Sequence, residues 1–147
     1  FGTVEVRVCD AVPSIKEMVN LTAFIQCLVV GLSDLYDDGA QLTLLDSWVI
    51  QENKWRATRF GLDADIIIDE SGTQQSLKAS ILETIDKIML FASDLGCTSE
   101  LNRIGDIIEN NQAPYQRQIM RYQQNMDLSD IVVSAIGELE NEVQVEC

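Results

Sequence analysis

An acid and a base, Glu5 and Arg7, stand two residues apart near the start of the chain, and valines alternate with them at Val4, Val6 and Val8. Because successive side chains of a β-strand point to opposite faces, this alternation predicts a half-buried strand with Glu5 and Arg7 on one face. A carboxylate is a ligand that Mg²⁺ prefers, and an arginine binds a carboxylate or phosphate through two parallel hydrogen bonds. The pair suits a site for a divalent cation and an anionic substrate.

The same spacing has a simpler interpretation. An exposed Glu–Arg pair on a strand is commonly a solvated charge pattern, and spacing alone favours that interpretation. A single strand also leaves its backbone donors and acceptors unpaired. We therefore expect its partner strands to come from residues that precede Phe1 or from another chain, and we predict that this chain is the C-terminal piece of a longer protein.

A second group of residues with chemical potential lies between residues 52 and 61. On a helix, Asn53 and Arg56 share a face, and Trp55 precedes Arg59 by four positions, close enough for its indole to stack on the guanidinium. Together with Lys54, the two arginines predict an anion site in a chain that is otherwise acidic. The alternative is a basic helix face that pairs with nearby acids, with tryptophans that fill the core.

Composition excludes several classes of function. The 147 residues contain 24 Asp and Glu against 10 Lys and Arg, a formal charge of -14 that disfavours nucleic acid as a partner. The chain has no His, and its four cysteines, Cys9, Cys27, Cys97 and Cys147, form no Cys-x-x-Cys pair, so the usual zinc sites are unexpected. We interpret them as free thiols in the cytoplasm. The longest apolar run, residues 21–32, is too short to cross about 30 Å of hydrocarbon, so no membrane contact is expected.

The elements that position these residues follow from local signals. The predicted fold class is α+β, mostly α, with one N-terminal strand, a short hairpin and about six helices in a bundle. Residues 1–12 form the strand and a turn, 13–61 two helices with the basic segment, 62–74 a strand or hairpin, and 75–147 the bundle. We expect residues 1–147 to be a single unit within a larger catalytic domain.

The C-terminal part of the bacterial glutamate–cysteine ligase type 2 family, also called carboxylate-amine ligases, resembles three stretches of this chain. They are residues 3–14 (TVEVRVCDAVPS), 23–29 (AFIQCLV) and 52–64 (ENKWRATRFGLDA). The match runs in order over most of the chain, with specific motifs in the first 65 residues and only a helical pattern later.

This resemblance implies a glutamine synthetase-like antiparallel sheet and a ligase that uses ATP and Mg²⁺ to join a carboxylate to an amine through an acyl phosphate. Glu5 then matches the glutamate that binds Mg²⁺, and Arg7 matches the catalytic arginine that holds the substrate glutamate or the phosphorylated intermediate. Asn53, Arg56 and Arg59 are expected to face the nucleotide phosphates or the acyl phosphate.

The implied substrates are glutamate and cysteine or another amine, with γ-glutamylcysteine as the product of the first pair. The expected macromolecular partners are the N-terminal portion of the same protein and a possible second copy of the chain. Because further metal ligands are expected before Phe1, we predict that this piece alone does not turn over. The alternative function is a non-catalytic helical module whose apolar faces bind a partner protein.

Overall fold

Six α-helices and one small β-sheet form the secondary structure of a computed structural model that describes residues 3–40 and 44–145. In chain order the elements are α1 (Ile15–Asp37), α2 (Ser47–Phe60), a 3₁₀ turn (Gly61–Asp63), β1 (Asp65–Ile67), β2 (Gln74–Ser76), α3 (Leu77–Leu95), α4 (Thr98–Glu109), α5 (Pro114–Asn125) and α6 (Leu128–Val145). The predicted fold class, α+β and mostly α, is confirmed, as are the hairpin and the number of helices.

The helix ends follow from signals in the adjacent sequence. The Ser14 hydroxyl accepts a hydrogen bond from the Glu17 backbone N–H at 3.1 Å at the start of α1, which satisfies one of the unpaired donors of a first turn. Gly96 ends α3 with a φ of 71°, a conformation that strains residues with a Cβ. Pro114 is the first residue of α5, where its missing N–H costs nothing.

The predicted N-terminal strand is the element that the structure does not contain. Residues 3–10 adopt no regular secondary structure, and Val4 and Val8 are 71% and 80% exposed, so these valines do not enter a core. The reason is physical: a strand needs backbone partners, and among the described residues the sheet consists of β1 and β2 alone. That partner strands belong to another part of the protein stays a prediction.

The described residues group into two compact units. One contains the chain up to Val19 and the chain from Ala113 onward, and the other contains Asn20–Gln112. Helix α1 therefore supplies its first turn to one unit and the rest of its length to the other. The expectation of a single unit stays a prediction.

The core of the second unit is formed where α1, α3 and α4 meet. Cys27, Ala92 and Leu101 have no exposed surface. Gly31 of α1 lies directly against Phe91 of α3, because a Cβ at position 31 would be only 2.9 Å from a carbon of the phenyl ring. The absence of a side chain at Gly31 therefore permits the close approach of α1 to α3.

Helix α1 is long and apolar enough, by length and composition alone, to cross a membrane, a test that core helices of soluble proteins also pass. It exceeds the apolar run predicted from the sequence because the helix extends beyond that run at both ends and has 23 residues. Ala23 and Cys27 of this helix are buried in the core of the second unit. The absence of membrane contact stays a prediction.

The other unit is organised around Arg117 of α5. Its guanidinium donates to both carboxylate oxygens of Glu17, at 2.7 and 3.1 Å, and to Glu138 of α6 at 2.9 Å. These hydrogen bonds, first the one to Glu17, raise the pKa of Arg117 above its usual range. The Glu17 carboxylate thus joins the first turn of α1 to α5, and Arg117 in turn joins α5 to α6.

Glu142 of α6 forms a second link to the start of α1. Its carboxylate accepts hydrogen bonds from the Ser14 hydroxyl at 2.8 Å and from the Lys16 backbone N–H at 3.2 Å. The Ser14 hydrogen bond lowers the pKa of Glu142 from its ordinary value of 4.5. A carboxyl whose pKa is lower in the folded than in the unfolded chain stabilises the fold above the unfolded pKa, and this contribution is lost as pH falls through the folded pKa.

We expect Glu142→Gln to lower the free energy of unfolding at neutral pH, because the charged acceptor is lost. The difference from the parent should shrink as pH falls below 4.5 and through the lower folded pKa, since protonation then removes the same charge from the parent. Urea unfolding at several pH values from about 7 to about 3 measures it. Glu140→Gln, on the exposed face of the same helix, is the matched control and should show no such trend. If the free energies of unfolding of the parent and of Glu142→Gln differed by the same amount at every pH, the stabilising role assigned to the Glu142 carboxylate would be contradicted.

Candidate functional site

Glu5 and Arg7 form a bidentate ion pair. Arg7 Nε lies 2.8 Å from Glu5 Oε1, and Arg7 Nη2 donates to Glu5 Oε2 at 2.9 Å. The Glu5 side chain is 68% exposed and the Arg7 side chain is 80% exposed. The structure therefore brings the predicted metal ligand and the predicted catalytic arginine together, in solvent rather than on the face of a sheet.

Among the described residues, Glu5 is not part of a cluster of metal-ligating side chains. No group of three or more Cys, Asp or Glu side chains is placed to hold a metal ion in this part of the chain, and Glu5 supplies one carboxylate that is already bound to a guanidinium. Magnesium demands six oxygen ligands in octahedral geometry, several of them often water. The metal-binding role of Glu5 stays a prediction.

Asn53 of α2 holds strand β1 of the hairpin. Its Nδ2 donates to the backbone carbonyl of Ile67 at 2.8 Å, and its Oδ1 accepts from the backbone N–H of the same residue at 2.8 Å. A carboxamide presents a donor and an acceptor in one plane, which is the pattern that a neighbouring strand would offer. Ile67 is 6% exposed, so these backbone groups depend on Asn53 for their partners.

Arg56, one turn further along α2, contacts both strands of the hairpin. Its Nε donates to Glu52 at 2.8 Å, and its Nη1 donates to the Asp65 carbonyl at 3.0 Å and to the Gln74 side chain at 3.1 Å. Only 21% of its side chain is exposed. Arg56 pairs with the nearby acid Glu52. At this residue the structure agrees with the interpretation of the segment as a basic helix face that pairs with nearby acids.

Arg59 is the exposed member of the predicted phosphate-binding set. It makes no ion pair among the described residues, and its guanidinium carbon lies 5.5 Å from the centre of the Phe60 ring. The predicted partner, Trp55, instead packs edge to face with Phe60, with ring centres 5.9 Å apart. Trp48 and Trp55 are 55% and 56% exposed, so the alternative in which the tryptophans fill the core is wrong.

A cavity of about 360 Å³ opens beside Arg56. Its wall contains three carboxylates, one guanidinium and two aromatic rings, from Glu52, Asp63, Asp65, Arg56, Trp55 and Phe60. Lys78 of α3 pairs with Asp63 at 2.8 Å. The cavity wall thus carries three carboxylates and one guanidinium, and this excess of negative charge disfavours a bare phosphate inside the cavity.

The sequence analysis named none of the three partners of Arg56, which are Glu52, the Asp65 carbonyl and Gln74. Glu52 precedes it by four positions on a predicted helix, a spacing typical of an ion pair, so this partner was available from the sequence. Gln74 lies opposite Ile67 in the hairpin register. The sequence analysis assigned no register to this hairpin, so this partner was found only in the structure.

The sequence of this chain is similar to those of known proteins. Residues 1–134 match the family described as Glutamate-cysteine ligase family 2 (GCS2). The chain is 37% identical over 142 residues to "Putative glutamate--cysteine ligase 2-1" of Arthrobacter sp. (strain FB24), which is 96% of this chain and 37% of that protein. It is 41% identical over 118 residues to "Putative glutamate--cysteine ligase 2-2" of Nocardia farcinica (strain IFM 10152), or 80% of this chain and 31% of that protein.

A third similar protein is "Putative glutamate--cysteine ligase 2" of Mycobacterium tuberculosis (strain CDC 1551 / Oshkosh). It is 38% identical over 140 residues, which is 95% of this chain and 37% of that protein. The chain therefore spans only about a third of the length of the relatives it matches, 31% to 37% in these three.

We expect Asn53→Ala to lower the free energy of unfolding by about 1–3 kcal/mol, because it leaves the N–H and C=O of a buried strand residue without partners. Chemical denaturation measures the loss, and hydrogen exchange at the Ile67 amide should accelerate. Lys54→Ala, the adjacent exposed position on α2, is the matched control for the change in helix propensity. Equal stabilities of the two variants would show that the Asn53 hydrogen bonds contribute nothing.

Proposed function

Because this chain belongs to glutamate–cysteine ligase family 2, we propose that the whole protein is an ATP-dependent ligase that joins glutamate to cysteine or another amine through an acyl phosphate. The observation that supports the proposal is the family match over residues 1–134, together with relatives whose names contain glutamate–cysteine ligase. With cysteine as the amine, the product is γ-glutamylcysteine. A cytoplasmic location and assembly with a second copy of the chain stay predictions.

Arg7 is proposed to bind the substrate carboxylate or the phosphorylated intermediate. Transfer of a phosphoryl group to a carboxylate, and attack of an amine on the resulting acyl phosphate, both concentrate negative charge on oxygen, which a fixed guanidinium stabilises. Exposed ion pairs contribute about 0–1 kcal/mol in general. A ligand with several negative charges can therefore compete with Glu5 for the Arg7 guanidinium.

Glu5 is proposed to supply one oxygen ligand to Mg²⁺. The other ligands would come from phosphate oxygens and from the parts of the relatives that this chain does not span. Bound Mg²⁺ would neutralise charge on the phosphates of ATP. In this chain Glu5 provides one carboxylate, and that carboxylate is paired with the Arg7 guanidinium.

The residues of the basic segment of α2 have two different roles in this proposal. Arg59 is exposed and has no ion pair within the described residues, so it is the residue proposed to bind an anionic part of the substrates. Asn53 and Arg56 hold the hairpin against α2, and their contribution is to position that segment. The aromatic rings of Trp55 and Phe60 beside the cavity offer a surface on which a nucleotide base could stack.

The non-catalytic interaction module stays the second candidate, and one observation favours it. Helix α6 exposes apolar side chains along its length, namely Leu128, Val132, Val133, Ile136, Leu139 and Val143, each 44% to 69% exposed. Such a face fits contact with another protein or with the rest of a longer chain. A whole protein that consumes no ATP with glutamate and any amine would favour the module.

We expect Arg7→Ala and Glu5→Gln, each made in the whole protein, to lower kcat/KM by at least about tenfold, because each removes a group proposed to act on charge in the transition state. Amine-dependent phosphate release with ATP, Mg²⁺, glutamate and cysteine measures the effect. Arg103→Ala, which breaks an exposed Arg–Glu pair on α4, is the matched control and should leave kcat/KM unchanged. If both Arg7→Ala and Glu5→Gln retain full activity, the assigned site is wrong.

The 147-residue chain by itself is expected to release no phosphate above background under the same conditions. The physical reason is that further Mg²⁺ ligands and most of the nucleotide pocket are expected in the parts of the relatives that this chain does not span. The whole protein, assayed in parallel, is the positive control. Turnover by the chain alone at a rate close to that of the whole protein would show that the metal and nucleotide sites lie within residues 1–147.

A further inference from the structure

Two thiols meet in the core of the second unit. Cys27 of α1 and Cys97, which immediately precedes α4, have their Sγ atoms 3.5 Å apart, and both are free cysteines. Cys27 has no exposed surface, whereas Cys97 is partly exposed. We propose that Cys27 and Cys97 are a dithiol redox site that hydroperoxides convert to an intramolecular disulfide and that thiol reductants restore. This proposal does not depend on the ligase activity.

The positions of the two cysteines in the fold suit such a bond. A disulfide has an S–S distance of about 2.05 Å, so the two sulfur atoms must approach by roughly 1.5 Å. Cys97 lies in the short turn between α3 and α4, and its backbone N–H donates to the Ala92 carbonyl at 2.9 Å. Its side chain is therefore outside the regular helices, where a change of rotamer leaves the helical hydrogen bonds of α3 and α4 in place.

Burial determines which sulfur reacts first. Desolvation, with the neighbouring Cys97 as a smaller cause, raises the pKa of Cys27 to about 11, so this thiol stays protonated and is a poor nucleophile toward a peroxide. Cys97 is the thiol that solvent and an oxidant reach. The initial oxidation is therefore assigned to Cys97, and Cys27 acts as the resolving thiol.

The reaction balances with one hydroperoxide. The Cys97 thiolate attacks the O–O bond of ROOH, a sulfenic acid forms at Cys97, and ROH leaves after taking up a proton. Cys27 Sγ then attacks the Cys97 sulfur, and the hydroxyl leaves with the Cys27 proton as water. Two thiols are oxidised by two electrons in total, and the peroxide is reduced to ROH and water. The new bond joins α1 to the turn between α3 and α4 and closes a loop between positions 70 residues apart.

The test uses the full 147-residue chain with Cys9→Ser and Cys147→Ser, so that only the proposed pair remains. Mild treatment of the folded protein with hydrogen peroxide should give a monomer that is two hydrogen atoms lighter, with one proteolytic peptide pair linked through Cys27 and Cys97. Dithiothreitol should restore the original mass. The oxidised form should also melt at a higher temperature, because the cross-link restricts the unfolded chain.

Single variants in the same background test the order of reaction. With Cys27→Ser, Cys97 should accumulate a sulfenic acid that dimedone traps, whereas with Cys97→Ser, Cys27 should remain a thiol after the same treatment. The linked peptide in the parent background does not depend on how well these core variants fold. Intermolecular disulfides alone, or sulfinic and sulfonic acids at Cys97 without a linked peptide, would overturn the proposal.

Discussion

A hairpin with three residues in each strand cannot satisfy its own backbone, and the contact between α2 and this hairpin supplies what is missing. Two-stranded ribbons are marginal in water without packing against another element. Asn53 completes the hydrogen bonding of Ile67, and Arg56 reaches the backbone of Asp65 and the side chain of Gln74. The position of β2, which leads directly into α3, therefore depends on two polar side chains of a helix.

This dependence shows that the residue types in α2 are compatible with two different uses. Asn, Arg and Lys within one helical turn indicate an anion site when only charge is considered. The same groups are also suited to capturing backbone carbonyls and N–H groups, and at Asn53 and Arg56 the structure uses them in that way. Deciding between the two uses requires the packing of α2 against the hairpin, which joins residues 9 to 18 positions apart and was not predicted from the sequence.

The residues that begin and end helices, by contrast, act locally. Ser14, Gly96 and Pro114 act on the backbone within a few residues of their own positions, so their effect is visible in the sequence alone. The partners of Arg117 were not predictable, because Glu17 is 100 residues away and Glu138 is 21 residues away. The prediction of an N-terminal strand was wrong for a related reason. Alternation indicates which side chains would share a face, but a strand exists only when another strand completes its hydrogen bonds.

The geometry of the Glu5–Arg7 pair would itself change if residues 3–10 became part of a sheet. In a strand, residues two apart lie about 6.6 Å apart along the chain with their side chains roughly perpendicular to the sheet. The present bidentate contact, with Arg7 Nε at 2.8 Å from Glu5 Oε1, forms where no strand constrains the backbone. We therefore expect pairing with other strands to hold the carboxylate and the guanidinium side by side without a closed ion pair, which leaves the first available to a cation and the second to an anion. In the described residues the pair is closed and exposed, so the separate roles proposed for Glu5 and Arg7 depend on an arrangement of residues 3–10 that only pairing with further strands would impose.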